Sequence, residues 1–160
     1  MRNSIINKKQ LASFLVKAKI GTYASSGEDG EQILPGRGKE FNFEEKEFKY
    51  RDRYYGFNPF IGQEIVWQNK RIIWGMNYYG KVTSEKIVSP KEIYQFLQEA
   101  LKRIPEDKPF RGAGSFKRGD FKYSNKTDGT LEKFNGEEAI FFKKQLVYKL
   151  EYHGGLIEMK

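Results

Sequence analysis

Gly62-Gln63-Glu64-Ile65-Val66-Trp67-Gln68-Asn69-Lys70-Arg71-Ile72-Ile73-Trp74 decides the fold class. Two short β-branched and aromatic runs, Ile65-Val66-Trp67 and Ile72-Ile73-Trp74, flank the polar Gln68-Asn69-Lys70, which is the pattern of an antiparallel hairpin. Upstream, Phe48, Tyr50, Asp52 and Tyr54 alternate with Lys49, Arg51, Arg53 and Tyr55, so a strand of period two precedes the hairpin. Downstream, Asp128-Gly129 and Lys143-Lys144 mark two further tight turns.

Helices frame these strands. Asn7 caps a segment with Gln10 three positions on, and Leu11, Phe14, Leu15 and Ala18 follow at helical spacing before Gly21; the spacing predicts a helix over 8–19. Ser89, Pro90 and Glu92 form the start of a second, with Ile93, Phe96, Leu97, Ala100, Leu101 and Ile104 on one face and Pro105 as its stop. Segments 24–39 and 105–119 hold most of the prolines and many glycines and read as loops. The expected fold class is α+β, an antiparallel sheet with two helices in one domain spanning 1–160.

The chain repeats itself. Gly62-Gln63-Glu64-Ile65-Val66-Trp67 returns as Gly136-Glu137-Glu138-Ala139-Ile140-Phe141, Ile72-Ile73-Trp74 as Leu146-Val147-Tyr148, and Tyr78-Tyr79-Gly80 as Tyr152-His153-Gly154, all at one common offset. Phe48-Lys49-Tyr50 returns as Phe121-Lys122-Tyr123, one position short of that offset. Phe14-Leu15 is matched by Phe96-Leu97 at a somewhat larger spacing. Motifs recurring in order at one offset point to an internally duplicated α-β-β-β-β unit, about 7–82 and 89–157. A ligand cleft is then expected between the two halves.

Composition excludes much chemistry. The 160 residues contain no Cys and one His, so disulfides, thiolate metal sites, cysteine nucleophiles and multi-histidine centres are absent. Hydrophobic residues are only 38%, but aromatics reach 16% and supply a core, since each buried ring removes roughly 150–250 Å² from water. Lys and Arg number 29 against 21 acidic residues, a net charge of +8, which favours anionic partners in general. No apolar run reaches the roughly 18 residues of a membrane span, and Met1-Arg2-Asn3-Ser4-Ile5-Ile6-Asn7-Lys8-Lys9 lacks a signal-peptide core. A cytoplasmic protein with no membrane contact is expected.

The runs Tyr50-Arg51-Asp52-Arg53-Tyr54-Tyr55-Gly56, Phe60 to Trp67, Trp74-Gly75-Met76-Asn77-Tyr78-Tyr79-Gly80, Pro109-Phe110-Arg111-Gly112 and Tyr152-His153-Gly154-Gly155 resemble the bacterial domain-of-unknown-function family DUF5680 across nearly the whole chain. Members occur alone or behind a helix-turn-helix DNA-binding domain, and the resemblance therefore implies a sensory or partner-binding module. Here only one short helix precedes the first loop, so no such DNA-binding domain is expected. Leu34-Pro35-Gly36-Arg37-Gly38 is richer in glycine than the family pattern. The resemblance implies no catalytic residues.

Candidate chemistry is therefore side-chain built. His153 lacks a nucleophile motif, so it reads first as a hydrogen-bonded strand-end histidine and second as a general base. Glu64 and Glu138 occupy matching strand positions; as a pair across the cleft they make a hydrolase, and as separate residues they are structural partners for arginine or backbone. A site made only of carboxylates, such as Asp52 with Glu64, is one option for Mg²⁺, without a spacing signature, and no metal or cofactor is expected. Arg51, Arg53, Tyr55, Trp74, Tyr79 and His153 combine forked cations with planar rings, and Arg37 and Arg111 lie in glycine-bearing loops suited to close on an anion. No Walker or Rossmann pattern occurs. The expected function is a non-catalytic domain that senses or sequesters a small anionic, planar, nucleotide-like ligand between the halves. The rivals are a nucleic-acid-binding or acidic-protein-binding regulatory module and a carboxylate-pair hydrolase. Oligomeric state is not legible.

Overall fold

The structure is a computed structural model, and residues 6–26 and 31–159 are described. Its elements are α1 (Lys8–Ile20), α2 (Tyr23–Ser26), β1 (Gln32–Ile33), a 3-10 turn (Pro35–Arg37), β2 (Lys39–Glu45), β3 (Phe48–Gly56), β4 (Phe60–Gln68), β5 (Arg71–Val82), α3 (Pro90–Leu101), β6 (Ser115–Arg118), β7 (Phe121–Thr130), β8 (Lys133–Phe142) and β9 (Gln145–Leu156). All these strands join one antiparallel sheet in the order β1-β2-β3-β4-β5-β9-β8-β7-β6. The chain is thus α+β, with a meander β2–β5 abutting a meander β9–β6 along β5 and β9. No helix of the described residues is long and apolar enough to cross a membrane.

The local signals explain the elements. Asn7 accepts the Gln10 amide at the start of α1, and Ser89 with Glu92 closes a reciprocal capping box at α3. Asn69-Lys70 and Lys143-Lys144 all have positive φ, the geometry of the two-residue hairpin turns that match strand twist. Each hairpin then skips one position in its second strand, Ile73 in β5 and Val147 in β9, where the register shifts. The two bulges keep the common offset of the repeat. The helices share one face of the sheet. Phe14 of α1 stacks on Phe48 at 5.0 Å, and Phe96 of α3 stacks on Phe121 at 4.8 Å.

Three expectations are corrected. The loop reading of 24–39 overlooks the end of α2, β1, the 3-10 turn and the start of β2, while its residues 27–30 lie outside the described residues. The reading of 105–119 overlooks β6. These strands are at or beside sheet edges, where charged side chains replace the apolar alternation that marks a strand. Asp128-Gly129 is not the turn; Gly129, at φ 93, still pairs with Phe134, and the chain reverses at Leu131-Glu132.

Candidate functional site

Alternation sends Tyr50, Asp52 and Tyr54 of β3 to the helix side of the sheet, although Asp52 is an acid on an otherwise aromatic face. The β3–β4 register sets Asp52 directly opposite Glu64, and both are buried. Two carboxylates so placed oppose each other's ionisation. Glu64 accepts from the Tyr50 hydroxyl and, at 3.0 Å, from the ammonium of Lys19 on α1. Asp52 is served by a phenol, Tyr78, which donates at 2.6 Å to Oδ1. Burial, and then the charge of Glu64, raise the Asp52 carboxyl from 3.8 to about 7. Burial also lowers the Lys19 ammonium, against the pull of Glu64.

Above these groups a cavity, part of it open to solvent, lies between sheet and helices. Its polar wall is Lys19, Asp52, Glu64 and Arg111, and its apolar walls include Tyr54, Phe57, Phe60, Tyr94, Leu101 and Phe110. Lys19 also donates to the Phe110 carbonyl at 2.5 Å. Arg111 enters from the loop after α3 and grips Glu138 with two bonds, 3.0 Å from Nε and 2.7 Å from Nη2, with its guanidinium 5.7 Å from the Tyr78 ring centre.

The second meander carries a similar set of side chains around Glu138. Tyr123, Asn125, Glu138 and Tyr152 are the repeat counterparts of Tyr50, Asp52, Glu64 and Tyr78, and Asn125 is opposite Glu138 as Asp52 is opposite Glu64. Tyr123 donates to Glu138, and Tyr152 donates to the Asn125 carbonyl oxygen at 2.8 Å. Tyr78 and Tyr152 each lie flat over a glycine, because a Cβ at Gly62 or Gly136 would come within 2.3 or 2.2 Å of the ring above it. Backbone fills the matching space in this half. Gly112 donates its N–H to Tyr123 at 3.0 Å and takes the Asn125 amide on its carbonyl at 3.3 Å.

The residues singled out in the sequence divide among three places. Arg51, Arg53, Tyr55, Tyr79 and His153 line a shallow concavity on the opposite, outward face, spanning β3 to β8. There Arg51 lies 5.2 Å from the Trp67 ring centre, Arg53 is held by Glu40 at 2.6 Å, and His153 Nε2 is 3.3 Å from the Asn77 amide. Arg111 belongs to the inner cavity. Trp74 reaches neither. It is fully buried and stacked on Phe134 at 5.7 Å, because the core took the ring. Arg37 is exposed on the 3-10 turn. Glu64 and Glu138 do not form a pair, since three strand spacings, roughly 14 Å, separate β4 from β8 and each glutamate has its own cation and phenol. Among the described residues no group of three or more acidic or histidine side chains is gathered for a metal.

Sequence reasoning passes over Lys19, reads Tyr50 and Tyr78 only through the strand pattern and the repeat, and weighs Asp52 only as half of a metal site. The signal for Asp52 is its place in the apolar register of β3. A second signal lies in the loops: Pro35-Gly36-Arg37-Gly38 and Pro109-Phe110-Arg111-Gly112 are separated by the same offset as the hairpins.

Residues 52–157 match the family model described as Domain of unknown function (DUF5680). The chain belongs to this family. No curated protein and no solved structure matches it. The matched region of this DUF5680 member begins at Asp52 and includes Glu64, Tyr78 and Arg111, whereas Lys19 and Tyr50 lie before it.

Proposed function

We propose that this chain is a small-molecule-binding domain that holds a planar ligand in the inner cavity and senses or sequesters it without altering it. One observation carries the reading. The buried Asp52 and Arg111 both line an aromatic-walled space, and Asp52 Oδ2 and Arg111 Nη1 make no hydrogen bond among the described residues. Enclosed apolar pockets with a few convergent polar groups and shifted pKa values are where ligands bind. Lys19 and Arg111 each already face a carboxylate, so the polar wall is near charge balance and favours a planar polar head over a naked anion.

The outward concavity supports the second reading, an acidic partner or single-stranded nucleic acid, through Arg51, Arg53, Tyr55 and Tyr79. It is the weaker of the two, since Glu137 and Glu151 share that surface and Glu40 engages Arg53.

Thermal-shift screening against nucleotides, planar heterocycles and acidic metabolites tests both. A ligand at a hundred times its Kd stabilises by about 2.7 kcal/mol. The shift is expected to vanish in Leu101→Trp, which fills the inner cavity, and to persist in Tyr79→Ala on the outer face. The reverse pattern moves the site outward. No shift from any compound ends the inner-cavity reading.

A further inference from the structure

The second half shows what the first half lacks. Glu138, Tyr123 and Asn125 close around one residue of backbone, Gly112, whose N–H donates to the Tyr123 oxygen and whose carbonyl receives the Asn125 N–H. Tyr123 accepts that N–H while donating its own proton to Glu138, and Asn125 donates while its oxygen accepts from Tyr152. In the first half Tyr50 donates to Glu64 and Asp52 accepts from Tyr78 in the same sense, but no backbone group of the described residues bonds to them as Gly112 does. The corresponding segment, Pro35 to Gly38, is turned away, with Leu34 N–H bonded to the Gly38 carbonyl at 2.6 Å and Arg37 exposed. Tyr50 and Asp52 line the cavity instead.

Resting on the cavity reading, we infer that the ligand is a planar cyclic amide or imide whose carbonyl accepts the Asp52 carboxyl proton and whose neighbouring N–H donates to Tyr50, replacing the Gly112 contacts of the second half. For Asp52 to stand in for Asn125 it must carry a proton. Its surroundings provide for that: Glu64 of β4 faces it as a charge, Tyr78 of β5 gives it a phenol, and Lys19 of α1 and Arg111 of the loop after α3 are bonded to Glu64 and Glu138. The aromatic walls, Tyr54, Phe57, Phe60, Tyr94 and Phe110, suit a flat ring. The proton stays on Asp52 throughout, so binding involves no covalent step.

Isothermal titration of the full chain with quinolin-2(1H)-one and its N-methyl derivative, from pH 6 to pH 9, tests the inference. The parent is expected to bind and the N-methyl compound to bind about tenfold more weakly or worse, the scale of one lost hydrogen bond with a buried partner. Above pH 7 the affinity of the unmodified chain falls about tenfold per pH unit, because only the protonated fraction is competent. Asp52→Asn keeps a donor at every pH, so its profile is flat and it binds more tightly than the unmodified chain at pH 9. Asn at the matching position 125 indicates that the amide is tolerated there. Equal binding of the N-methyl compound, a flat profile for the unmodified chain, or loss of the parent at pH 6 in Asp52→Asn overturns the inference. Binding of benzoate without quinolinone overturns the amide class but leaves the cavity reading intact. Absence of binding by any small molecule overturns both.

Discussion

The Pro-x-Arg-Gly segment occurs once beside each half of the sheet and goes opposite ways. Arg111 turns inward to a fully buried Glu138, and Gly112 fills the space beside it. Arg37 stays outside, and a cavity stands beside the matching Glu64. The helices differ at one matching position as well. Counting from the matched Phe14-Leu15 and Phe96-Leu97, Lys19 of α1 corresponds to Leu101 of α3. On α1 this position is Lys19, and Glu64 has its cation from the helix. Where the helix supplies a leucine, Glu138 depends on the loop, which brings its glycine along.

The sharpest way to break this comparison is to remove each arginine. Arg111→Met strands Glu138 in the core, and breaking a buried pair from one side costs about 3–5 kcal/mol. Arg37→Met removes an exposed side chain and is expected to change stability by no more than about 0.5 kcal/mol. Urea denaturation of both variants measures this. Similar losses in the two would show that the outward loop is as structural as the inward one.

Much of the fold is legible in the sequence because it is local. The Ser89-Pro90-Glu92 start, the Asn69-Lys70 turn and the β3 alternation each state a backbone geometry within a few residues. The β2 strand is not legible, because Lys39-Glu40-Phe41-Asn42-Phe43-Glu44-Glu45 carries its charges on a nearly uncovered edge. The site is half legible. An acid in the apolar register of β3 is visible in the sequence, and so is the recurrence of Pro-x-Arg-Gly. The direction each loop takes is not, since Arg111 meets Glu138 only through contacts between residues far apart in the chain. The tyrosine pairs show the same boundary. Alternation sends Tyr54 and Tyr78 inward and Tyr55 and Tyr79 outward, but only cross-strand register reveals that Tyr78 covers Gly62 and reaches Asp52.

A second test concerns the one acid that differs, Asp52 against Asn125. The unfolded chain releases the Asp52 proton near 3.8 and the folded chain near 7. Between those values the folded state binds more protons, so this group lowers stability as pH rises and has no further effect above about 7. The slope is at most about 1.4 kcal/mol per pH unit, and coupling to Glu64 reduces it. Asp52→Asn is therefore expected to match the unmodified chain near pH 4 and to exceed it by about 2 kcal/mol at pH 8. Urea midpoints at pH 4, 5, 6, 7 and 8 decide the matter. A constant gap across that range would mean that Asp52 is ionised in the folded chain.

The smallest effect comes from the two phenols that lie over the glycines. Tyr152→Phe removes bonds to the neutral Asn125 amide oxygen and the Thr127 hydroxyl and is expected to cost about 1 kcal/mol at any pH. Tyr78→Phe at pH 5 removes a bond to a protonated acid and should cost about the same. Above pH 7 the Asp52 acceptor is charged, and a bond to a charged group contributes about 1.5–3 kcal/mol. The cost of Tyr78→Phe should therefore grow by about 1 kcal/mol between pH 5 and pH 8, while that of Tyr152→Phe stays level. Denaturation of both variants at the two pH values reads the difference directly. If both costs stay level, the two halves differ in cavity alone, and the acid in the first has no proton equilibrium of its own near neutral pH.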